Sequence, residues 1–501
     1  MLTDSQGVNI VTAATTDIVV VGAGFAGLYA IYKLRQAGLR VRGFEAGANV
    51  GGTWYWNRYP GARCDVPSME YSYKFDEELQ QEWQWTETYA AQPEILAYAN
   101  HVADRFELRE HFSFNTRVSS AHFKEEDSHW LVTTDSGEQL SARFCIMATG
   151  VLSCTNTPAF PGLDDFTGDL YHTGNWPPEG VDFSGKRVAI VGTGSSGIQS
   201  IPVIASQAEQ LHVFQRTAQF SIPAQNRPLR AEEIAQIKAN YRQFRRENYA
   251  QPGGVRRPEN VPPVLEVSEH EREELLEAAW LRGGTNFLRC FSDVMQSREK
   301  NAYAADFAKR KIHDIVKDPA LAEKLTPDQV IGCKRICLDT DYFDTYNRPN
   351  VELVDIKDHP IDRITPTGIS TNGIDYEFDC LVFATGFDAM TGTLSRMDIR
   401  GRDDVSIQQK WSEGPHNYLG MTLHRFPNLF IVCGPGSPSV LANMISHIEQ
   451  NVEWICDCIE YLDDNQHSTI EATAQAEAQW VAHVNEAADK TLFPTCNSWY
   501  L

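Results

Sequence analysis

The residues best placed to do chemistry fall in two glycine turns. Gly22, Gly24 and Gly27 lie in "VVVGAGFAGLYA", and Gly192, Gly194 and Gly197 lie in "AIVGTGSSGIQS", each at G-x-G-x-x-G spacing. A turn of this kind brings backbone N–H groups up to a pyrophosphate, at a helix N-terminus that carries partial positive charge. About twenty residues after the first turn stands Glu45, whose carboxylate suits the hydroxyls of a ribose. The corresponding place after the second turn reads "QRT" instead. Arg216 offers a planar fork and Thr217 a hydroxyl, groups that suit a 2′-phosphate, which a carboxylate would repel. The pair of turns therefore predicts two dinucleotide sites, the second for NADPH. Glycines that serve packing only, and a surface Arg216, are the plainer alternatives.

The elements that must hold these turns are legible around them. A β-branched run over 17–21 predicts a buried parallel strand. Leu28, Ile31 and Leu34 then recur at helical spacing, Gly38 suits a helix C-terminus, and a second strand over 40–44 ends at Glu45. The second unit repeats the plan with a strand over 187–191, a helix, and a strand over 211–214. The block 223–331 changes character. Ile234, Ile237, Tyr241 and Phe244 share one helical face, 251–263 reads as a linker, and Ser268 with Glu271 forms a capping-box pattern. It predicts a helical insertion.

Bulk properties exclude other classes. The formal charge of −23 repels nucleic acid backbones and anionic lipid surfaces, but it permits a local basic pocket for one phosphate. The first seventeen residues lack the charged and apolar stretches of a signal peptide, and no apolar run is long enough for a spanning helix, so a cytoplasmic enzyme is expected. Eleven cysteines with no C-x-x-C pair argue against a redox dithiol, a structural metal site or a disulfide scaffold, so reduced thiols are expected. No metal is expected. The oligomeric state is left open.

A chain that binds a flavin and a hydride donor needs an electron acceptor. With no paired cysteines, molecular oxygen is the remaining common one, and it requires a site that keeps water from a reactive flavin peroxide. "FTGDLYHTGNWP" (166–177) bears on this. Phe166, Gly168, His172, Trp176 and Pro177 resemble the signature of the type I Baeyer–Villiger monooxygenases. "GGTWYWNRYPGARCDVPS" (51–68) is similar to that family's flavin-domain segment, and "GCKRICLDTDYFDTYNRPNVELVD" (332–355) to the segment carrying its active-site arginine. "GPGSPSVLANM" (434–444) and "NSWY" (497–500) match its C-terminal part, and the phenylacetone and steroid monooxygenase branch is the most similar. Members continue past "SWY" with a further flavin-domain tail, whereas this sequence ends at Leu501, so a trimmed chain is expected.

The resemblance implies an α/β fold of two interleaved Rossmann-like domains, for FAD and NADP, with a helical insertion. The Ala-Thr-Gly that closes both "FCIMATG" (144–150) and "FDCLVFATG" (378–386) would mark the crossings. The implied domains are 1–151 and 386–501 for FAD, 152–222 and 332–385 for NADP, and 223–331 for the insertion. The implied reaction is NADPH- and O2-dependent oxidation of a ketone to an ester or lactone through a flavin C4a-peroxide, with sulfoxidation as a possible side activity.

Residue roles follow by motif position. Arg335 would hold the peroxide anion, with Asp65 orienting it; by residue type alone, a structural arginine and a surface carboxylate are the commoner outcomes. Gly52, Thr53 and Trp54 join the FAD site, the Gly51-Gly52 pair favouring FAD over NAD. Ser195, Ser196, Gln199 and Lys334 join the NADP site. His172 is implied to hold the two domains in register and Trp176 to anchor that linker. Met444 and Trp499 lie near cofactor and substrate. Val66, Leu441 and Met444 would line an apolar ketone pocket.

Two rival functions stay open at this level. An amine- or sulfur-oxygenating flavin monooxygenase shares the turns but does not need Asp65 and Arg335. A nucleotide-sensing module would bind without turnover and need carry no flavin.

Overall fold

The computed structural model describes residues 2–3, 9–10 and 13–496. Two parallel-strand systems organise it. The first sheet has eight strands and is centred on Ala14–Val21, which pairs in parallel with Val41–Phe44 on one side and Gln139–Met147 on the other. Val118–Lys124, His129–Thr134 and Gln139–Met147 form an antiparallel meander that widens it. Phe112–Ser113 extends it beside Val41–Phe44, and two late strands complete it: Leu429–Ile431 beside Gln139–Met147, and Asp398–Arg400 beside Val118–Lys124.

The second sheet runs Val351–Asp355, Gln210–Gln215, Arg187–Val191, Cys380–Phe383 and Asp169–His172, every pairing parallel. The chain thus leaves the first sheet, builds the second, and returns. Interleaving is a property of the fold. Strands such as Arg187–Val191 and Cys380–Phe383 are buried nearly throughout, as continuous apolar runs require in a sheet covered on both faces.

One expectation is corrected here. The resemblance implies a linker over 166–177, yet Asp169–His172 is the edge strand of the second sheet, paired with Cys380–Phe383. An edge strand has one neighbour, so its polar side chains stay half-exposed and the apolar signal is lost.

The block 223–331 is helical, with its own core around Trp280, Phe287 and Phe307. The first expected helix is broken at Asn240 into Ala231–Ala239 and Tyr241–Ala250. Ser268 caps Glu269–Arg282 by accepting the Glu271 N–H at 3.2 Å.

A second correction concerns cysteine. Cys333 and Cys496 are joined as a disulfide across 163 residues, with Cα atoms 6.1 Å apart. No short-range pattern could announce a pairing of that separation. The other nine cysteines are free thiols.

Candidate functional site

The two glycine turns are built alike. Gly22 and Gly192 have φ of +109° and +111°, which L side chains rarely adopt. A Cβ on Gly22 would stand 2.5 Å from the Ala148 carbonyl oxygen; one on Gly192 would stand 2.5 Å from that of Ala384. Ala148 and Ala384 open the two Ala-Thr-Gly repeats, so each repeat seats the first glycine of its own turn. Gly27 and Gly197 pack against the Gly22 and Gly192 carbonyls, which lets each following helix, Phe25–Gln36 and Ser195–Gln207, lie close on its strand. Gly24 and Gly194 are the N-cap residues of those helices. Gly52 packs on Gly24, where a Cβ would meet the Gly24 Cα at 2.8 Å. The Gly51-Gly52 pair and the first turn are therefore one surface.

Both turns open onto a single cavity of about 1810 Å³. That is well above the roughly 300–1,000 Å³ of a pocket for one drug-sized ligand, and leaves room for two dinucleotides. Gly22, Gly24, Gly52, Thr53, Trp54 and Glu45 line one part; Gly192, Gly194, Ser195, Ser196, Gln199, Arg216 and Thr217 line the other. Glu45 is buried, and its oxygens accept the N–H groups of Ala23 and Gly47, each at 2.7 Å. Its carboxylate is thereby fixed beside the turn. Trp54 is also buried and donates its indole N–H to the Tyr71 hydroxyl at 3.1 Å.

At the second turn, Arg216 is exposed and Lys334 half-buried, both on the cavity wall. Burial, and then the Arg216 charge, push the Lys334 ammonium below its ordinary value. Two cations that raise each other's cost suit an anion between them. Thr217 accepts the Thr193 hydroxyl through its carbonyl at 3.0 Å. Gln199 reaches across to the first domain's segment: it accepts the Tyr59 hydroxyl at 2.8 Å and donates to the Arg63 carbonyl at 3.1 Å. Tyr59 was not singled out from the sequence; it lies within the quoted 51–68 segment.

Arg335 and Asp65 meet where the two parts of the cavity join. Arg335 donates from Nε and Nη2 to the two oxygens of Asp65 at 2.6 and 2.8 Å, and from Nη1 to the Val440 carbonyl. Burial opposes ionisation of Asp65, but the Arg335 charge and hydrogen bonds overcome it and hold the carboxyl below its usual range. Lys334, in a bend, and Arg335 directly after it precede the strand Cys337–Asp339.

Val66 and Met444 line the cavity near this pair, together with Val440 and Ala442. Leu441 does not: its side chain is 48% exposed, because the turn 439–441 directs its neighbours inward. Trp499 lies outside the described residues.

The signature stretch stands behind the cavity and touches both halves. His172 Nδ1 accepts the Gly174 N–H at 3.0 Å, which leaves the ring proton on Nε2 to donate to the Thr385 hydroxyl at 3.2 Å. Thr385 in turn donates to the Asn156 carbonyl at 2.6 Å. Thr385 is the middle residue of the second Ala-Thr-Gly. Burial lowers the His172 pKa, so the ring is neutral at neutral pH. Trp176 is buried and donates its backbone N–H to the Trp56 carbonyl at 3.5 Å, in the flavin-type segment. Phe166 is buried in the core of the second sheet, and Gly168 packs on Phe166 and the Asp379 carbonyl. No described group of His, Cys, Asp and Glu could hold a metal ion, and no helix of the described residues is long and apolar enough to cross a membrane.

The chain is similar to known proteins over nearly its whole length. The pyridine nucleotide-disulphide oxidoreductase family matches residues 19–252. A Baeyer–Villiger monooxygenase of Pseudooceanicola batsensis is 46% identical over 97% of this chain and 89% of its own length. Cyclohexanone 1,2-monooxygenase of an Acinetobacter species is 42% identical over 96% and 89%. The solved structure of an oxidized steroid monooxygenase bound to NADP superposes with a TM-score of 0.94, at 54% identity, covering 97% of this chain and 93% of that one.

Proposed function

This chain belongs to the Baeyer–Villiger monooxygenases, flavoproteins that use FAD, NADPH and O2 to convert ketones into esters or lactones, and from that premise we propose which of its residues carry the reaction. When bound, FAD reduced by NADPH supplies the oxygen-activating chemistry. The rest is the work of the protein.

Arg335 holds a permanent positive charge on the cavity wall, where negative charge develops during attack on a carbonyl carbon. Its Nη1 is turned toward Val440 and its other two donors toward Asp65, so the fork is fixed before substrate enters. A preorganised donor of this sort is worth about 3–4 kcal/mol in a transition state. Asp65 is a positioning residue: it remains ionised and sets the plane of the guanidinium. Val66, Met444, Val440 and Ala442 form the apolar wall that receives the ketone and excludes water.

The first turn, with Gly52, Thr53, Trp54 and Glu45, holds FAD. The second, with Ser195, Ser196 and Gln199, would hold NADPH, and Arg216, Thr217 and Lys334 would supply the donors for its 2′-phosphate. His172 and Trp176 keep the two halves in register through Thr385 and Trp56. The FAD parts run over 1–151 and 386–501, the NADP parts over 152–222 and 332–385. The substrate is a small-molecule ketone.

The observation that carries this reading is the bidentate Arg335–Asp65 pair on the wall of a cavity shared by both glycine turns. An amine- or sulfur-oxygenating enzyme has no need of it. The test is direct. Purified holoenzyme with NADPH under 18O2 is given a panel of neutral and acidic ketones, and products are identified by mass spectrometry. Ester with one oxygen atom from 18O2 supports the reading. Oxidised NADPH with hydrogen peroxide alone, across the whole panel, would overturn it.

A further inference from the structure

Arg335 is not the sole guanidinium near the ketone pocket. Arg257 lies in the segment 251–263 that the sequence marks as a linker. That segment packs against the backbone of the cavity wall: the Gly253 carbonyl accepts the Asn443 N–H at 2.7 Å, and Ala442 and Met444 on either side of Asn443 line the cavity. A Cβ built on Gly253 would stand 3.1 Å from the Leu441 carbonyl oxygen and 3.6 Å from Arg257 Nη2. Arg257 Nη2 therefore lies close to the 441–442 backbone, and Arg335 reaches the Val440 carbonyl one residue earlier.

Arg289 completes the group. It donates to the Asn286 side chain at 3.0 Å, and Asn286 donates to the Arg256 carbonyl at 3.2 Å, which ties it to the same loop. Burial, and then the charge of Arg257, lower the Arg289 guanidinium to about 10; Arg335 adds to that repulsion and Glu70 opposes it.

These charges are poorly compensated. Arg335 has Asp65. Among the described residues, neither Arg257 nor Arg289 forms an ion pair, and Arg257 Nε is buried without a hydrogen-bond partner. Glu70, whose charge acts on Arg289, is buried, accepts the Arg256 N–H at 3.2 Å, and is pushed up to about 7 by burial despite its arginine neighbours. A half-buried guanidinium with an unused donor costs free energy that an incoming anion would recover. The acidity of the whole chain does not prevent this, because surface charge is screened beyond about 8 Å at physiological salt.

We propose that Arg257 and Arg289 form a subsite for an anionic substituent, a carboxylate, carried by the ketone and placed on the insertion side of Arg335. The inference rests on the proposed ketone pocket. It narrows the substrate class to keto acids, with the carbonyl at Arg335 and the carboxylate on the Arg257–Arg289 pair.

The test compares levulinate, a linear keto acid, with its methyl ester, on holoenzyme loaded with FAD and NADP+. Calorimetric Kd values need no turnover; kcat/KM for oxygenated product is measured alongside. A charge-assisted hydrogen bond is worth about 1.5–3 kcal/mol, so levulinate is expected to bind about 10- to 100-fold tighter than the ester. That preference should fall about tenfold or more in Arg257→Gln and in Arg289→Gln. Both ligands are measured on the same preparation, so a loss of folded enzyme cancels in the ratio. Equal Kd values in the native protein, or an undiminished preference in both variants, would overturn the subsite. If the Kd preference is found but neither ketone is oxygenated, the subsite stands, and the functional reading is decided separately by the ketone panel.

Discussion

Arg335 and Asp65, which are 270 positions apart in the chain, meet in a two-point pair at 2.6 and 2.8 Å on the wall of the cavity that both glycine turns share. Their roles separate by experiment. Arg335→Ala is expected to leave reduction of the flavin by NADPH in place and to lower ester formation by about 10²–10³ or more, the usual effect of losing one preorganised donor. Stopped-flow absorbance reads the first step and product analysis the second. Ester formed at the native rate would remove Arg335 from the mechanism.

Asp65→Asn tests positioning through pH. The Asp65 carboxyl lies below its ordinary value, so its contribution to stability is present above the unfolded value, about 3.9, and is lost as pH falls through the lower folded value. The native protein should therefore keep a constant stability margin over Asp65→Asn from neutral pH down to about 4, and lose it below. Thermal unfolding across that range provides the check; a margin that already shrank between pH 7 and 5 would mean the pair is not ionised as described.

Arg216→Ala should weaken NADPH far more than NADH, by about tenfold or more, since the lost group is a charge-assisted donor to the 2′-phosphate alone. Lys334→Ala should act in the same direction. Kd values for both nucleotides on the FAD-loaded protein decide this, and equal losses for NADPH and NADH would place the phosphate elsewhere.

His172→Leu removes both the acceptor for Gly174 N–H and the donor to Thr385, at a cost of about 1–3 kcal/mol for the partners left unsatisfied. The pH signature is more specific. The His172 pKa is lowered by burial, so the native protein takes up that proton less readily than the unfolded chain and loses stability as pH falls below the unfolded value, about 6.5. That slope should flatten in the variant. A slope identical in both proteins would show that His172 does not titrate as the geometry requires.

What could be read from the sequence was whatever repeats at short range. Both glycine turns, Glu45 and the Ala-Thr-Gly closures are local patterns, and the structure sets each where its spacing implies. What escaped depends on distant partners. The strand Asp169–His172 is recognised only once Cys380–Phe383 lies beside it, because an edge strand keeps its polar side chains. Cys333 and Cys496 carry no sign of each other. Leu441 shared a motif with Met444, yet the turn 439–441 sends it outward. The glycines and prolines of 251–263 mark an irregular loop correctly, but composition says nothing about what the loop rests on.

The parallel seating of Gly22 on Ala148 and Gly192 on Ala384 allows one substitution to be made twice with different outcomes. Alanine at either site combines a φ near +110° with a Cβ 2.5 Å from a backbone carbonyl oxygen, so the turn must shift in both cases. Gly22→Ala distorts the turn that packs, through Gly24, on Gly52, and is expected to yield protein that loses its yellow colour on gel filtration. Gly192→Ala distorts the turn next to Arg216, and is expected to stay yellow but resist bleaching by NADPH, while dithionite still reduces it. Visible spectra of the two purified variants make the comparison. If Gly192→Ala lost flavin and Gly22→Ala kept it, the assignment of the two nucleotides to the two turns would have to be reversed.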